Sequence, residues 1–271
     1  AIRRQRQMCI RDRYILCLLY LLMTGCSGRV NSLAEKYLDN REDIVNVHNK
    51  IVPISMEEHP ISAFSNLYVM DKYLVVRDSK SYDGVIYFFD KNTFQYIANF
   101  TPIGPGNYEL TNPGEICLDE EKGKLYVFDY GKFKMVSYDI DSVSKKPYSY
   151  NFQLKAKLSP KLYPVFCNYI TDTLSVVSVL EVIGDYQETH QLAGLWNLLT
   201  GEIKIGYEHP DVKKKRMMFA ASKEYGIYVK CYKYNDLMTI CNLDGSLKYN
   251  VYGPHWGDES KNLLSYGCAI L

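Results

Sequence analysis

Five histidines, eight cysteines and a glycine-proline run are the groups in this chain best suited to chemistry. A bound metal needs several imidazoles, thiolates or carboxylates at short, defined spacings. His48, His59, His190, His209 and His255 are scattered, and none stands in a recognisable ligand motif. Glu57-Glu58-His59 precedes Pro60 and reads as a solvated turn. No metal and no cofactor is therefore expected. A nucleophile elbow of the G-x-S-x-G type is absent, so no catalytic residue is assigned. The stretch Gly104-Pro105-Gly106 has the glycine content of a phosphate loop but lacks the strand-glycines-helix context. Pro105 also removes a backbone donor. It reads instead as a connecting loop, and Gly104, Gly106, Asn107 and Tyr108 are the candidate binding positions.

The remaining polar groups read as structural. Asp78, Asp90, Asp129 and Asp139 recur at strand ends, where carboxylates cap turns by accepting backbone N–H bonds. Cys117, Cys167, Cys231, Cys241 and Cys268 contain no CxxC and are expected as buried thiols. Cys231 and Cys241 flank a turn near Asn235-Asp236, so a cross-strand disulfide is the alternative for that pair. Lys213-Lys214-Lys215-Arg216 reads as a solvated loop. Most of the 25 tyrosines are expected in packing, with Tyr163, Tyr186, Tyr232 and Tyr234 near turns.

Cys26 stands apart. Arginines precede an apolar run, Tyr14–Met23, which ends in Met23-Thr24-Gly25-Cys26. Ten residues of helix span about 15 Å, half a bilayer core, which suits a signal peptide better than a permanent anchor. The four residues resemble the lipobox of bacterial lipoproteins, with Met23 where leucine is commonest. Small residues at Thr24 and Gly25 open the backbone to a peptidase, and the Cys26 thiol accepts lipid. Several acyl chains then hold a protein firmly at a membrane. Gln7–Arg13 resembles translated sequencing-adapter sequence; the apolar run and the motif do not depend on it. The expected organisation is a signal peptide over 1–25, a lipid-anchored tether over 26–43 and a β domain over 44–271. The expected address is the cell envelope, at the outer membrane on its periplasmic or surface face.

The chain has 271 residues, 47% hydrophobic and 23% charged, enough apolar material for a sizeable core. Residues 1–25 hold five arginines against one aspartate, so the rest of the chain is mildly acidic. Such a body gives no electrostatic reason to bind nucleic acid. Beyond the tether, runs rich in Val, Ile, Tyr and Phe alternate with Asp, Asn, Gly and Lys turns. Tyr73–Asp78, Leu125–Asp129, Leu174–Ser178 and Ile227–Cys231 recur about every 50 residues. A second strand follows each: Val85–Asp90, Phe133–Asp139, Leu192–Asn197 and Leu237–Asn242. Units of this size with roughly four strands each match propeller blades. The rival is a large β-sandwich or open barrel.

The layout resembles the TolB-like and NHL-like six-bladed β-propeller lipoproteins of Gram-negative bacteria. The residues that carry it are the Cys26 motif, Ile103–Glu109, Asn112-Pro-Gly-Glu115 and Lys124–Asp129. The resemblance implies an all-β propeller of four-stranded blades. Only about four units are found, with a leading N-terminal strand near Asp43–Ile54, so a propeller truncated to about four blades is expected. The expected role is a membrane-tethered binding module for a protein or glycan partner. The alternative is an enzyme of the lactonase, esterase or lyase kind with calcium or zinc in the channel.

Overall fold

The computed structural model describes residues 33–40, 45–54, 59, 61–81, 84–100, 103–146, 152–184, 188–213 and 215–258. Met23, Thr24, Gly25 and Cys26 lie outside them, as do Cys268, Tyr186 and Lys214. Strand β1, Glu35–Tyr37, comes first, and a single 3-10 turn follows at His48–Lys50. Four antiparallel sheets of four strands succeed one another along the chain. Blade I holds β2 (Ser65–Val69), β3 (Tyr73–Asp78), β4 (Ile86–Asp90) and β5 (Tyr96–Phe100). Blade II holds β6 (Pro113–Asp119), β7 (Lys124–Asp129), β8 (Lys134–Asp139) and β9 (Gln153–Lys157), with a short helix α1 (Ile140–Lys145) between the last two. Blade III holds β10 (Leu162–Tyr169), β11 (Leu174–Ile183), β12 (Glu188–Asn197) and β13 (Ile203–Ile205). Blade IV holds β14 (Met217–Ser222), β15 (Ile227–Tyr232), β16 (Leu237–Asn242) and β17 (Leu247–Tyr252).

The two strands read from sequence in each unit are the second and third of a blade. Each sheet is apolar on both faces and cannot shield itself, so neighbours stack. Val75, Phe88 and Phe100 of blade I pack on Ile116, Val127 and Tyr138 of blade II. The opposite face of blade II brings Phe128 and Met135 against Val177, Val179 and Trp196 of blade III. Val176 and Ala193 then meet Tyr228, Leu237 and Tyr252 of blade IV. Burial of both residue parities in β7 and β11 follows directly: period-two alternation sends side chains to two interfaces, and both are dry. This is the side-by-side packing of blades in a propeller, and two facing sheets would not produce it.

The leading strand differs from expectation. The described residues 45–54 form no strand. Glu35–Tyr37, inside the stretch read as tether, pairs in parallel with β17 and adds a fifth strand to blade IV. Its side chains explain the docking. Asn250 Nδ2 donates to Glu35 Oε1 at 3.2 Å, and Tyr37 stacks on Tyr252 with ring centroids 4.7 Å apart. Three residues of Glu-Lys-Tyr carry no apolar pattern, so their place is set entirely by the partner strand.

Capping carboxylates recur as the sequence suggested. Asp129, fully buried, accepts N–H bonds from Thr111, Asn112, Gly131 and Lys132 at 3.0–3.3 Å. Asp78 holds the Ser62 N–H and hydroxyl in the corresponding place of blade I. Asp90 and Asp139 each close the turn after a third strand, on Asn92 and Thr93 and on Ser142. Asn197 does the same for Leu199 and Thr200. These are Asx turns that satisfy backbone donors where the ladder ends.

Candidate functional site

Loops that enter the first strand of each blade share one face of the molecule with the turns between second and third strands. On this face residues 103–112, between β5 and β6, form a loop held by several hydrogen bonds. Ile103 bridges to Leu110, and Leu110 is fully buried in the blade I–II core. The Gly106 N–H donates to the Glu109 carboxylate at 2.6 Å, while Gly104 donates to the Leu110 carbonyl at 3.1 Å. A Cβ on Gly104 would stand 2.1 Å from Glu109 Oε2, so a side chain there would displace that carboxylate from the loop. Beneath the loop, Lys132 Nζ donates to the carbonyls of Gly106 at 2.7 Å, Glu109 at 2.9 Å and Pro105 at 3.3 Å. The ammonium thus neutralises three inward carbonyl dipoles, and Asp129 fixes the loop's exit through Thr111 and Asn112.

What the loop presents is a polar and an aromatic group. Asn107 is exposed. Tyr108 is 55% exposed, with its ring edge on Phe152 at 5.9 Å. Lys134 Nζ sits 4.1 Å from the Phe152 ring centroid, on the support of that tyrosine. Phe133, in the turn beside Lys132, is part-exposed and has φ 45°, a left-handed conformation costly for a residue with a Cβ. The Leu158 N–H donates to its carbonyl at 2.8 Å, which helps hold that geometry. Of the sequence-read candidates, Gly104, Gly106, Asn107 and Tyr108 are therefore assembled in one loop. Tyr163 packs on Tyr130, and Tyr232 is buried in the blade III–IV core, so neither is presented for binding.

A second cluster lies inward, on the first strands. The register of β6 breaks between Pro113 and Ile116, a bulge that turns Glu115 into the interface of blades I and II. Tyr68 of β2 donates its hydroxyl to Glu115 Oε1. Arg77 Nη2 lies 3.6 Å from Glu115 Oε2 and donates to Asn66 Oδ1 at 2.8 Å. Burial pushes the Glu115 carboxyl up to about 8, against the bond from the Ile116 N–H. Burial likewise pulls the Arg77 guanidinium down, opposed by the charges of Tyr130 and Asp78. Tyr130 donates to the Pro164 carbonyl at 3.0 Å, carrying the cluster to blade III. A Cβ on Gly114 would fall 2.0 Å from the Tyr130 ring, which explains glycine before Glu115.

This cluster braces three blades. It holds no nucleophile beside a base. In the sequence Glu115 is marked only by the Asn112–Glu115 motif, and nothing there singles out Arg77 or Lys132. Asp129 alone carried a signal, through its recurrence 51 residues after Asp78. Among the described residues no group of three or more His, Cys, Asp or Glu side chains could hold a metal ion. His209 is buried and accepts the Asp211 N–H at Nδ1, so Nε2 carries the proton toward the Tyr252 hydroxyl at 2.9 Å. Burial pulls it below the usual imidazole range, outweighing the Asp211 and Glu35 charges.

These features define the class: an all-β propeller of four-stranded blades. Residues 54–160 match the model of the DUF5128 family, described as a 6-bladed beta-propeller. No curated protein matches the chain. Among solved structures it is similar to a protein of Bacteroides fragilis described as exported, at 11% identity and TM-score 0.49 over 81% of this chain. It is also similar to a DUF4221 member from Bacteroides vulgatus, at 11% identity and TM-score 0.48 over 66% of this chain. The chain spans 59% and 55% of those two proteins' lengths.

Proposed function

We propose that this protein is an exported, lipid-anchored propeller that binds a glycan through the loop carrying Asn107 and Tyr108. The observation behind this reading is the exposed Tyr108 ring on a loop locked by Lys132 and Asp129. An aromatic face stacks on the apolar face of a sugar ring, and a neighbouring amide bonds its hydroxyls. A rigid loop loses little conformational freedom on binding. Screening the full chain on a glycan array, beside Tyr108→Ala, tests it. The expected result is retention of one glycan class by the parent and at least about tenfold weaker binding by the variant, the loss of one stacking contact. Equal binding by both, or capture of a protein partner and no glycan, would overturn the glycan assignment.

The anchor is proposed at Cys26, with Met23, Thr24 and Gly25 as the peptidase recognition residues. Acylation there tethers the propeller to the outer membrane. In a bacterial host the parent is expected in the membrane fraction, carrying a mass addition of diacylglycerol at Cys26. Cys26→Ser is expected to lose that addition and leave the membrane. An unmodified Cys26 in the membrane-bound parent would sink the proposal.

A further inference from the structure

Sequence spacing offers a Cys231–Cys241 disulfide only as the alternative to buried thiols, and the sheet register separates the two. Cys231 stands opposite Met238 and Cys241 opposite Tyr228, which places the two thiols on opposite faces of blade IV. The fold brings a different pair together. Cys117 is on β6 and Cys167 on β10, the first strands of blades II and III. Both are free, buried cysteines in the core that these blades share. Contacts on either side fix the alignment. Tyr130, over Gly114, reaches the carbonyl of Pro164; the rings of Tyr126 and Tyr169 stack at 5.3 Å; Lys122 pairs with Asp172. Gly114, beneath Tyr130, thus lines up with Pro164, and Lys122 with Asp172, each at an offset of 50 residues, the spacing that also separates Cys117 from Cys167.

We propose that Cys117 and Cys167 form a disulfide that joins blade II to blade III. The two strands belong to separate sheets with no ladder between them, so this bond would be the covalent tie across a boundary otherwise held by side chains. It closes a loop of about 50 residues, which restricts the unfolded chain more than it constrains the fold. The oxidant is a disulfide of the thiol-exchange class, such as oxidised glutathione or a dithiol-disulfide carrier protein. One cysteine thiolate attacks that disulfide and forms a mixed disulfide, releasing the first sulfur of the oxidant as thiolate. The second cysteine thiolate then displaces the other sulfur. The protein loses two protons and two electrons, and the oxidant leaves fully reduced. Both thiols are buried after folding, so the exchange takes place while blades II and III are still apart. Occurrence in the cell rests on the export reading; the bond itself does not.

The full chain, unfolded in denaturant with reductant and refolded in a glutathione redox buffer, gives the test. Non-reducing peptide mapping is expected to show one peptide pair linking Cys117 to Cys167, 2 Da lighter than the two thiols, with Cys231 and Cys241 alkylated after denaturation. Cys117→Ser and Cys167→Ser should each lose the cross-link. The refolded, oxidised protein should melt several degrees above its reduced form. Alkylation of both Cys117 and Cys167 in the refolded parent, or either one linked to another cysteine, would overturn the proposal. A cross-link formed by a protein whose Cys26 is not acylated would leave this inference standing and remove only the anchor.

Discussion

Replacing Glu208 with alanine is expected to remove about 3–5 kcal/mol of stability and to lower Tm by roughly 10 °C, because it strands a buried charge. Lys230 has no exposed side-chain surface, and its Nζ donates to Glu208 Oε1 at 2.8 Å and to the Tyr207 carbonyl. The ring centroids of Tyr207 and Tyr232 lie 5.8 and 5.9 Å away. Those faces and one carbonyl do not replace a carboxylate in a dry interface. Lys215, 3.6 Å from the other Glu208 oxygen, would be freed as well, but it has access to water and loses little. The site continues across the sheet: Lys230 opposes Thr239, Thr239 opposes Asn250, and Asn250 opposes Glu35. Thr239 donates to Asn250 Oδ1 at 2.8 Å, so the ladder specifies where β1 docks. The double variant Glu208→Ala, Lys230→Met removes both charges and should recover most of the loss. Denaturant titrations of the parent and the two variants decide the matter. A single variant within about 0.5 kcal/mol of the parent would mean that Lys230 finds another counter-charge.

Stability is also expected to fall as pH rises from about 4.5 to about 8, and Glu115→Gln should abolish that part of the fall. The Glu115 carboxyl titrates near 4.5 when free and is pushed up to about 8 by burial in the fold. Between these limits the folded protein holds a proton that the unfolded chain has lost. The contribution is fully present below pH 4.5, is lost progressively through the window, and stays constant above pH 8. One proton gives a limiting slope of about 1.4 kcal/mol per pH unit. The Arg77 guanidinium at 3.6 Å shares the charge once Glu115 ionises, so a total near 2–3 kcal/mol is expected, about half the limit. Glutamine keeps the shape and accepts the Tyr68 hydroxyl without titrating. Denaturation midpoints at pH 5, 6, 7, 8 and 9, with reductant present, give the two curves. Parallel curves for parent and variant would show that Glu115 is ionised throughout.

Much of the architecture was readable because it is local and repeated. The second and third strands of each blade are unbroken apolar runs bounded by Asp, Asn and Gly, and their 50-residue recurrence declares the blade. The Asp78 and Asp129 caps were legible for the same reason. The first strands were harder. In β6 the bulge at Pro113–Ile116, and in β10 the irregularity at Pro164–Phe166, break the alternation that marks a strand. Strand β1 was read as tether, since nothing in Glu35-Lys36-Tyr37 announces a partner at Asn250. The Gly104–Tyr108 loop was found from its glycines, but its rigidity comes from Lys132, whose role is invisible until the chain folds back.

Composition and spacing by themselves determined an all-β chain of repeating blades, because short-range periodicity and turn chemistry act within a few residues. Only the tertiary structure decided which distant groups meet: Glu115 with Arg77, Lys230 with Glu208, Cys117 with Cys167. Each pair joins elements that the sequence leaves unaligned. Their encounter is set by how apolar faces stack between blades, and that stacking depends on every interface at once.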